Sequence, residues 1–196
     1  MIESLLVAGA DVNKANLKGN TVLHLADEEV DRNIRKLILA GAELEVRNAD
    51  GLTPLLLAAD RGWPDVINVL KEHGADMSPV DHDANTGLLR ILEKNNKPKE
   101  GTLRLLAFGN INRKTECGMT PLMLAAKKLN NNTLRILLEL GAEPNIVNTL
   151  SVQACTALSV VLNKVMTKRH VRNDDRDVAL ECADELIRHN AFVSLP

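Results

Sequence analysis

The stretch GLTPLLLAAD, residues 51–60, places a Thr-Pro pair directly before a run of small and branched apolar residues. Two similar stretches are GMTPLMLAAK at residues 118–127 and GNTVLHLADE at residues 19–28. One copy would indicate only the start of a helix, whereas three near-copies in one chain indicate an internal repeat. Because stacked repeats build a fold of their own kind, the repeat decides the fold class before any other feature does.

The repeat has the same period in two separate motifs. The threonines that open the first motif are 32, 33, 34 and 36 residues apart. The glycines of a second motif, which usually continues with Ala and an acidic residue, are 32, 33, 35 and 32 residues apart. Two motifs with one period predict stacked units along the chain. The threonines are Thr21, Thr53, Thr86, Thr120 and Thr156, and the glycines are Gly9, Gly41, Gly74, Gly109 and Gly141.

Each unit is predicted to contain two helices. Thr53 is a good N-cap, and Pro54 suits the first helical position because its missing N–H would be unpaired there anyway. A second helix, DVINVLKEHG at residues 65–74, ends at Gly74, where a left-handed glycine closes a helix at low cost. The polar residues before the next threonine, such as Asn-Ala-Asp-Gly at residues 48–51, form a turn.

The composition fits helices packed by aliphatic side chains. The chain has 196 residues, of which 45% are hydrophobic and only 2% aromatic, which argues against disorder and against a β-sandwich core. A formal charge of −2 gives no indication of nucleic-acid binding, and no apolar run reaches membrane-spanning length. Three cysteines without a C-x-x-C pair favour reduced thiols, and therefore an intracellular location in the cytoplasm or the nucleus.

The segment DGLTPLLLAADRGWPDVINVLKEHGAD, residues 50–76, resembles an ankyrin repeat. The family's unit has a turn, a T-P-L-H-x-A helix start, a second helix and a G-A-D sequence, and the resemblance covers essentially the whole chain. It implies an all-α ankyrin-repeat solenoid of paired antiparallel helices with β-turn or hairpin fingers, curved and elongated. The implied parts of this single domain are a partial repeat at 1–15, repeats at 16–47, 48–80, 81–114 and 115–147, and a divergent capping repeat at 148–196.

Several units depart from the family pattern. Residues 81–114 form a degenerate repeat, in which Gly87 replaces the proline and KNNKPKEG at 94–101 lengthens the loop, so we expect its first helix to be weaker. The last unit has an insertion near 166–178 that is either an extension of its first helix or an exposed loop. The chain begins with a second helix, which predicts further repeats upstream of Met1 or, alternatively, an abbreviated cap.

No set of residues is predicted to carry catalysis or to bind a cofactor or a metal. His24 is interpreted as a buried histidine bonded within its repeat, since no acid or nucleophile stands near it in the sequence. Asp81-His82-Asp83 is interpreted as a solvated turn rather than a metal site. Cys117 lies beside a glutamate whose carboxylate disfavours the thiolate, so an activated nucleophile is not expected. We therefore expect a protein that is not an enzyme.

The resemblance implies a binding surface instead, because ankyrin repeats hold proteins at their turn-tip fingers and at the concave palm lined by the first helices. The expected partner is another protein or a peptide segment of one, with no nucleic acid and no membrane insertion, and the chain is expected to be a monomer on its own. The turn-tip candidates are Leu17, Lys18, Asn20, Asp50, Leu52, His82, Asp83, Glu116 and Met119, and the palm candidates are Glu28, Glu29, Asp60, Arg61, Trp63, Lys127 and Lys128.

Two groups of these candidates have alternative interpretations. Leu17, Leu52 and Met119 are apolar at turn tips, so they either form a ridge for a partner or pack on the neighbouring turn. Trp63, with Arg61 beside it, is either a binding hot spot or a cover for the seam between repeats, because large rings are enriched in hot spots and are also mostly buried.

The palm candidates run from acidic to basic along the chain. Glu28 and Glu29 form the acidic end, and Lys127 and Lys128 form the basic end, with a mixed pair between them. Such polarity would orient an extended peptide by charge complementarity. The predicted function is a non-catalytic adaptor or scaffold that recruits or sequesters a protein partner. The alternatives are a regulatory or substrate-recruiting module of a multidomain enzyme or ubiquitin-ligase complex, and a host-targeting effector of an intracellular bacterium or virus.

Overall fold

The computed structural model of this chain describes residues 7–26, 31–94, 98–150, 155–167 and 173–191. These residues form nine α-helices, and the β structure among them is limited to two isolated bridges. The chain divides into two compact units, Met1–Ile91 and Leu92–Pro196, with the boundary inside the fourth helix. The helices are α1 (Asp31–Leu39), α2 (Pro54–Arg61), α3 (Pro64–Glu72), α4 (Gly87–Lys94), α5 (Glu100–Asn110), α6 (Pro121–Lys128), α7 (Asn131–Glu139), α8 (Ala157–Thr167) and α9 (Asn173–Arg188).

The helix starts predicted from the Thr-Pro pairs are confirmed. Thr53 Oγ1 accepts a hydrogen bond from the N–H of Leu56 at 3.3 Å, and Pro54 is the first residue of α2. At the start of α6, Thr120 Oγ1 accepts a hydrogen bond from the N–H of Met123 at 3.2 Å. These bonds pair backbone donors that a helix start otherwise leaves without a partner, and each cap contributes about 1 kcal/mol of stability.

The helices of the second unit stack in two rows. α6 packs on α8, and both are the first helices of their repeats. α7 packs on α5 and on α9, and all three are second helices. α6 and α8 also pack on α7 and α9, the second helices of their own repeats, as α2 does on α3 in the first unit, where α3 in turn packs on α1. This stacking of like helix on like helix confirms the predicted all-α ankyrin-repeat solenoid.

The core of each unit is aliphatic. In the first unit, Leu55 and Leu56 of α2 and Ile67 and Leu70 of α3 are at most 1% exposed. Leu134 of α7 is fully buried in the second unit. Burying one such side chain contributes roughly 1.5–3 kcal/mol, and much of the contact surface comes from the neighbouring repeat. The repeats are therefore stable as a stack rather than singly.

A repeated set of hydrogen bonds holds the turns. Asn48 Oδ1 accepts hydrogen bonds from the N–H groups of Asp50 at 3.0 Å and Leu52 at 2.9 Å. Asn16 and Asp81 hold the turns before and after it in the same way, each through its Oδ1 atom. A side chain that bonds the backbone two and four residues further on forms an Asx turn, which competes well with helical structure. The tips of these turns are consequently well fixed.

The degenerate repeat forms its first helix at full length. α4 has eight residues, the same number as α2 and α6. Its capping hydrogen bond is longer than those of α2 and α6, since Thr86 Oγ1 lies 3.5 Å from the N–H nitrogen of Leu89. Ala84 occupies the place of the turn glycine with a φ of 56°, a left-handed conformation that costs energy for a residue with a Cβ. The weakness expected of this repeat stays a prediction, and these two features are its physical sources.

The insertion of the last unit lengthens both of its helices. α8 has 11 residues and ends at Thr167, and α9 has 16 residues and begins at Asn173. Residues 166–167 of the insertion thus end the first helix and residues 173–178 begin the second, while residues 168–172 lie outside the described residues, so the choice between the two alternatives for 166–178 stays a prediction. Most of the helix predicted at the start of the chain also lies outside them, because residues 1–6 are not described. None of the described helices is long and apolar enough to cross a bilayer.

Candidate protein-interaction surface

The first turn tip presents two side chains to solvent. Leu17 and Lys18 are exposed, whereas Asn20 is half-buried because its Oδ1 accepts a hydrogen bond from Asn48 Nδ2 at 2.8 Å. The N–H of Ala49 donates to the carbonyl of Lys18 at 3.0 Å, so the main chains of neighbouring turns are bonded as well. Leu17 and Lys18 are the candidates of this turn that a partner could reach.

The next two turn tips are tied to each other. Asp50, His82 and Asp83 are exposed. A Cβ atom placed on Gly51 would lie 2.3 Å from Nε2 of His82, so the imidazole ring packs directly on the backbone of the preceding turn. Arg47 Nη1 donates to one backbone carbonyl in or next to each of these turns, at 2.8 and 2.6 Å. The first unit therefore presents three consecutive turn tips as a connected surface.

Leu52 belongs to the core, which corrects its placement in an exposed ridge. Its side chain is 5% exposed. Its carbonyl accepts hydrogen bonds from the N–H of Asn48 at 3.0 Å and from Nε2 of His24 at 2.9 Å, and its own N–H is bonded to the Asn48 side chain. With both main-chain groups held, the side chain is fixed in its buried orientation. Of the two interpretations of Leu52, the one in which its side chain packs within the protein is therefore correct.

The turn tip of the second unit has one exposed candidate. Glu116 is exposed, and Met119 is half-buried. The sulfur of Met119 lies 3.6 Å from Nδ2 of Asn148, and the same amide donates to the carbonyl of Cys117 at 2.9 Å. Met119 thus packs on the following turn, and only part of its side chain remains for a partner.

A cation–π pair lies at the end of α2. The guanidinium carbon of Arg61 is 4.6 Å from the centre of the Trp63 ring. Arg61 is exposed and Trp63 is half-buried. This distance is well within the range of about 6 Å over which a ring attracts a cation. The half-buried ring thus lies beside the exposed guanidinium, and the choice between a binding hot spot and a cover for the seam stays a prediction.

Asp60 is engaged inside the first unit, which corrects its placement as a free palm residue. Its carboxylate accepts two hydrogen bonds from Arg90, at 2.7 Å from Nε and 2.6 Å from Nη2. Nη1 of the same guanidinium bonds to Oδ2 of Asp81. The side chains of Arg90, Asp60 and Asp81 are 13%, 10% and 3% exposed. Bonding to Asp60 and, to a lesser extent, to Asp81 raises the pKa of Arg90 against the opposing effect of burial, so the guanidinium stays charged.

His24 is the buried histidine that its position predicts. Its Nδ1 lies 3.1 Å from the N–H nitrogen of Thr21, and its Nε2 lies 2.9 Å from the carbonyl oxygen of Leu52. The neutral ring with its proton on Nε2 satisfies both partners, because it accepts from Thr21 and donates to Leu52. Burial lowers the pKa of His24, while the bond to the Leu52 carbonyl opposes that shift. The residue therefore joins two repeats through bonds that use both of its ring nitrogens.

Lysines of the second unit surround an open cavity. Lys127 and Lys128 at the end of α6, together with Lys164 of α8, line a cavity of about 390 Å³ whose other lining residues are Glu93 and Leu124. Lys128 Nζ donates to the carbonyl of Glu93, and Lys164 Nζ donates to the carbonyl of Lys127, each at 2.6 Å. The first two lysines are candidates predicted from the sequence, whereas Lys164 is not, although it stands eight residues after its repeat's threonine, as Lys128 does. The acidic end of the predicted palm, Glu28 and Glu29, lies outside the described residues.

Within the part of the chain that the structure describes, the cysteines and metal-binding residue types form no further candidate site. Among the described residues, no group of three or more His, Cys, Asp or Glu side chains could hold a metal ion. Cys117 is exposed, Cys155 is half-buried and Cys182 is buried. Burial raises the pKa of the Cys182 thiol to about 11, so this thiol is largely protonated at neutral pH.

The chain is similar to parts of several longer proteins. It is 31% identical to the nuclear factor NF-kappa-B p105 subunit of Gallus gallus over 153 residues, which is 76% of this chain and 16% of that protein. It is 31% identical to the B-cell lymphoma 3 protein homolog of Mus musculus, over 76% of this chain and 34% of that protein. The NF-kappa-B inhibitor zeta of Mus musculus is 32% identical over 172 residues, or 82% of this chain and 22% of that protein. The chain thus spans about a third or less of the length of these three relatives.

The solved structures and the family models agree on the fold. The crystal structure of the ankyrin repeat domain of Bcl-3, a member of the IkappaB protein family, matches 97% of this chain and 79% of its own with a TM-score of 0.76. At 22% sequence identity this likeness concerns the fold alone. A model of ankyrin repeats in three copies matches residues 1–81, and a model of ankyrin repeats in many copies matches residues 105–151. The chain therefore belongs to the ankyrin-repeat family.

Proposed function

We propose that this chain is a non-catalytic protein-interaction module that recruits or sequesters a protein partner. The observation that carries the proposal is the connected surface of three turn tips in the first unit. Its exposed members are Leu17, Lys18, Asp50, His82 and Asp83. Arg61, exposed at the end of α2, is the first palm residue that we assign to the same partner.

The way in which the turns are held supports binding through these tips. Association costs free energy for every side chain or loop that must be ordered, at about 0.5–1.5 kcal/mol for each mobile side chain. Here the Asx bonds of Asn16, Asn48 and Asp81 fix the main chain of each tip before any partner arrives. The ring of His82 is also packed in advance on the turn before it. A surface organised in this way loses little entropy when it binds.

The relatives indicate which partner to test first. The name of one relative describes it as an inhibitor of NF-kappa-B, and another is a subunit of NF-kappa-B itself. We propose a nuclear factor of this kind as the partner class. We also place the chain in the cytoplasm or the nucleus, where such factors act, and fractionation of cells that express the tagged chain would check this location.

The test is a binding titration of the purified chain against purified NF-kappa-B by biolayer interferometry, followed by affinity capture from lysate. The turn-tip variant carries Lys18→Glu, Asp50→Lys and Asp83→Lys, which together change the net charge by +2. The control variant, Asp65→Lys on the exposed face of α3, changes the net charge by the same amount away from the tips. Circular dichroism confirms beforehand that both variants fold.

The expected result is that a captured protein binds the chain and the control equally and is lost by the turn-tip variant. A second variant, Arg61→Ala with Trp63→Ala, then measures the contribution of the cation–π pair, and it leaves Asp60 unchanged because that carboxylate belongs to the fold. A partner that binds both variants as well as the original chain would refute the assignment of this surface. Absence of any protein partner, NF-kappa-B included, would refute the proposed function.

A further inference from the structure

The lysine cavity of the second unit differs in charge from the corresponding positions of the other repeats. The residue seven positions after the repeat threonine is acidic in three repeats and is Lys127 in the fifth. The next residue is basic in four repeats, including Lys128 and Lys164. An acidic residue followed by a basic one leaves no net charge, whereas Lys127 followed by Lys128 adds two positive charges at one place. The acidic residues are Glu28, Asp60 and Glu93, and the four basic ones are Arg61, Lys94, Lys128 and Lys164.

The cavity therefore has an excess of positive charge. Three of its five lining residues are lysines, and one, Glu93, is acidic. The bonds from Lys128 and Lys164 to backbone carbonyls hold these ammonium groups in place, and a carbonyl carries no net charge. The C-terminal dipole of α6 offsets part of the excess, by up to about half a charge. Burial lowers the pKa of Lys128, the nearby carboxylate of Glu93 opposes that shift, and the neighbouring Lys127 lowers the pKa to a smaller extent.

We propose that this cavity binds the carboxylate side chains of an acidic peptide segment of the partner protein. The inference rests on the proposed function, since it assigns a chemical class to one part of the partner. The aliphatic side chain of Leu124 forms part of the lining, so the methylene groups of a glutamate would have an apolar contact beside the lysines. A cavity of about 390 Å³ lies in the range of small-ligand sites and accepts side chains rather than a folded domain.

A nucleic acid fits the same site less well. Binding of a polyanion requires basic residues along an extended track and, for single strands, aromatic rings on which the bases stack. The lining residues of this cavity include no aromatic residue, and the lysines are confined to one place. The chain as a whole has a formal charge of −2, which opposes a long polyanion. A short segment with a few carboxylates is the ligand that both the size and the charge favour.

The test uses the full chain and a fluorescein-labelled peptide of about ten residues with alternating Glu and Ser, which is long enough to cross the cavity when extended. Binding is measured by fluorescence anisotropy at low and high salt. A peptide with Gln in place of Glu controls for shape. The key variant is Lys127→Glu, which introduces the residue type found at the same position of the preceding repeat and so is compatible with the fold. Lys14→Glu, at an exposed position of the first unit, is the control with the same change in charge.

We expect the Glu peptide to bind, the Gln peptide not to bind, and Lys127→Glu to weaken binding about tenfold, because a reversed charge replaces an attraction with a repulsion of similar size. Lys14→Glu should leave the affinity within twofold, and added salt should weaken binding. Equal binding of the two peptides, or equal affinity of Lys127→Glu and the original chain, would overturn the proposal. The proposal would also be overturned if an equimolar oligonucleotide or inorganic phosphate abolished binding of the Glu peptide. The turn-tip variant should bind the Glu peptide normally, which separates failure here from failure of the proposed function.

Discussion

The guanidinium of Arg90 holds two buried carboxylates, and its removal is the sharpest test of how the first unit is held together. Arg90→Leu is the substitution of choice, because leucine occupies the same position in the repeats that begin at Thr21, Thr53 and Thr120. The new side chain therefore suits the helix and the packing. The variant removes the guanidinium that bonds to Asp60 and Asp81, while Asp81 keeps its two bonds from backbone N–H groups.

The size of the effect follows from the burial of the three groups. Removing one partner of a buried ion pair costs about 3–5 kcal/mol, since the remaining charge loses its compensation without returning to water. The carboxylates here are 10% and 3% exposed, so they are close to fully buried. We expect a loss of about 3 kcal/mol, which lowers the melting temperature of a chain of this length by roughly 6–12 °C. Thermal and urea unfolding followed by circular dichroism measure both quantities.

A series of further variants separates the charge effect from packing. Asp81→Asn restores the residue type that holds the turns at Asn16 and Asn48, and an Asn oxygen can accept the same backbone bonds. Combined with Asp60→Asn and Arg90→Leu, it removes all three charges and should recover at least half of the lost stability. If Arg90→Leu is as stable as the original chain, or if the triple variant is no more stable than Arg90→Leu, the carboxylates do not depend on Arg90 and the reasoning fails.

Three further results are expected. Ala84→Gly should raise the free energy of unfolding by about 0.5–1 kcal/mol in a urea titration, because glycine adopts the φ of 56° without strain; no gain would show that the turn is not strained. Burial lowers the pKa of His24 below 6.5, so the folded state favours the neutral ring. The contribution of His24 to the stability of the fold is therefore complete above pH 6.5 and is lost as the pH falls through the lowered pKa. Urea midpoints at about pH 7.5 and pH 5 should therefore differ more for the original chain than for His24→Leu, and equal differences would contradict the role of this histidine. Exposed Cys117 should react with a maleimide at about pH 8 well before buried Cys182, whose thiol has a pKa of about 11, as mass spectrometry of the labelled peptides would show; faster labelling of Cys182 would mean that its helix opens readily.

Features that depend on neighbours in the chain could be predicted from the sequence. The period, the paired helices, the caps at Thr53 and Thr120 and the left-handed glycines such as Gly74 all follow from contacts within a few residues. The burial of His24 was also predicted, because its position in the repeat is a core position. These are short-range preferences, and each is repeated several times in the chain, which makes the pattern stronger than any single copy.

Whether an individual surface candidate is buried, paired or open to a partner depends on residues about one repeat away. Leu52 is buried because its carbonyl meets the ring of His24, 28 residues earlier. Asp60 is paired because Arg90 comes from the next repeat, 30 residues later. A signal did exist in the sequence, since Asp81 and Arg90 replace the residue types of the neighbouring repeats together, and a paired change of this kind indicates an ion pair.

The sequence alone thus determined the repeat, its helices and its family, because a repeated local pattern can stack in essentially one way. Only the tertiary structure decided which charges face solvent. The sequence predicts Lys127 and Lys128 as the basic end of the palm and does not single out Lys164, whereas the stacking of α6 on α8 gathers all three around one cavity with Glu93. The free energy of a charge is set by the groups that surround it, and in a stacked fold those groups come from the adjacent repeats.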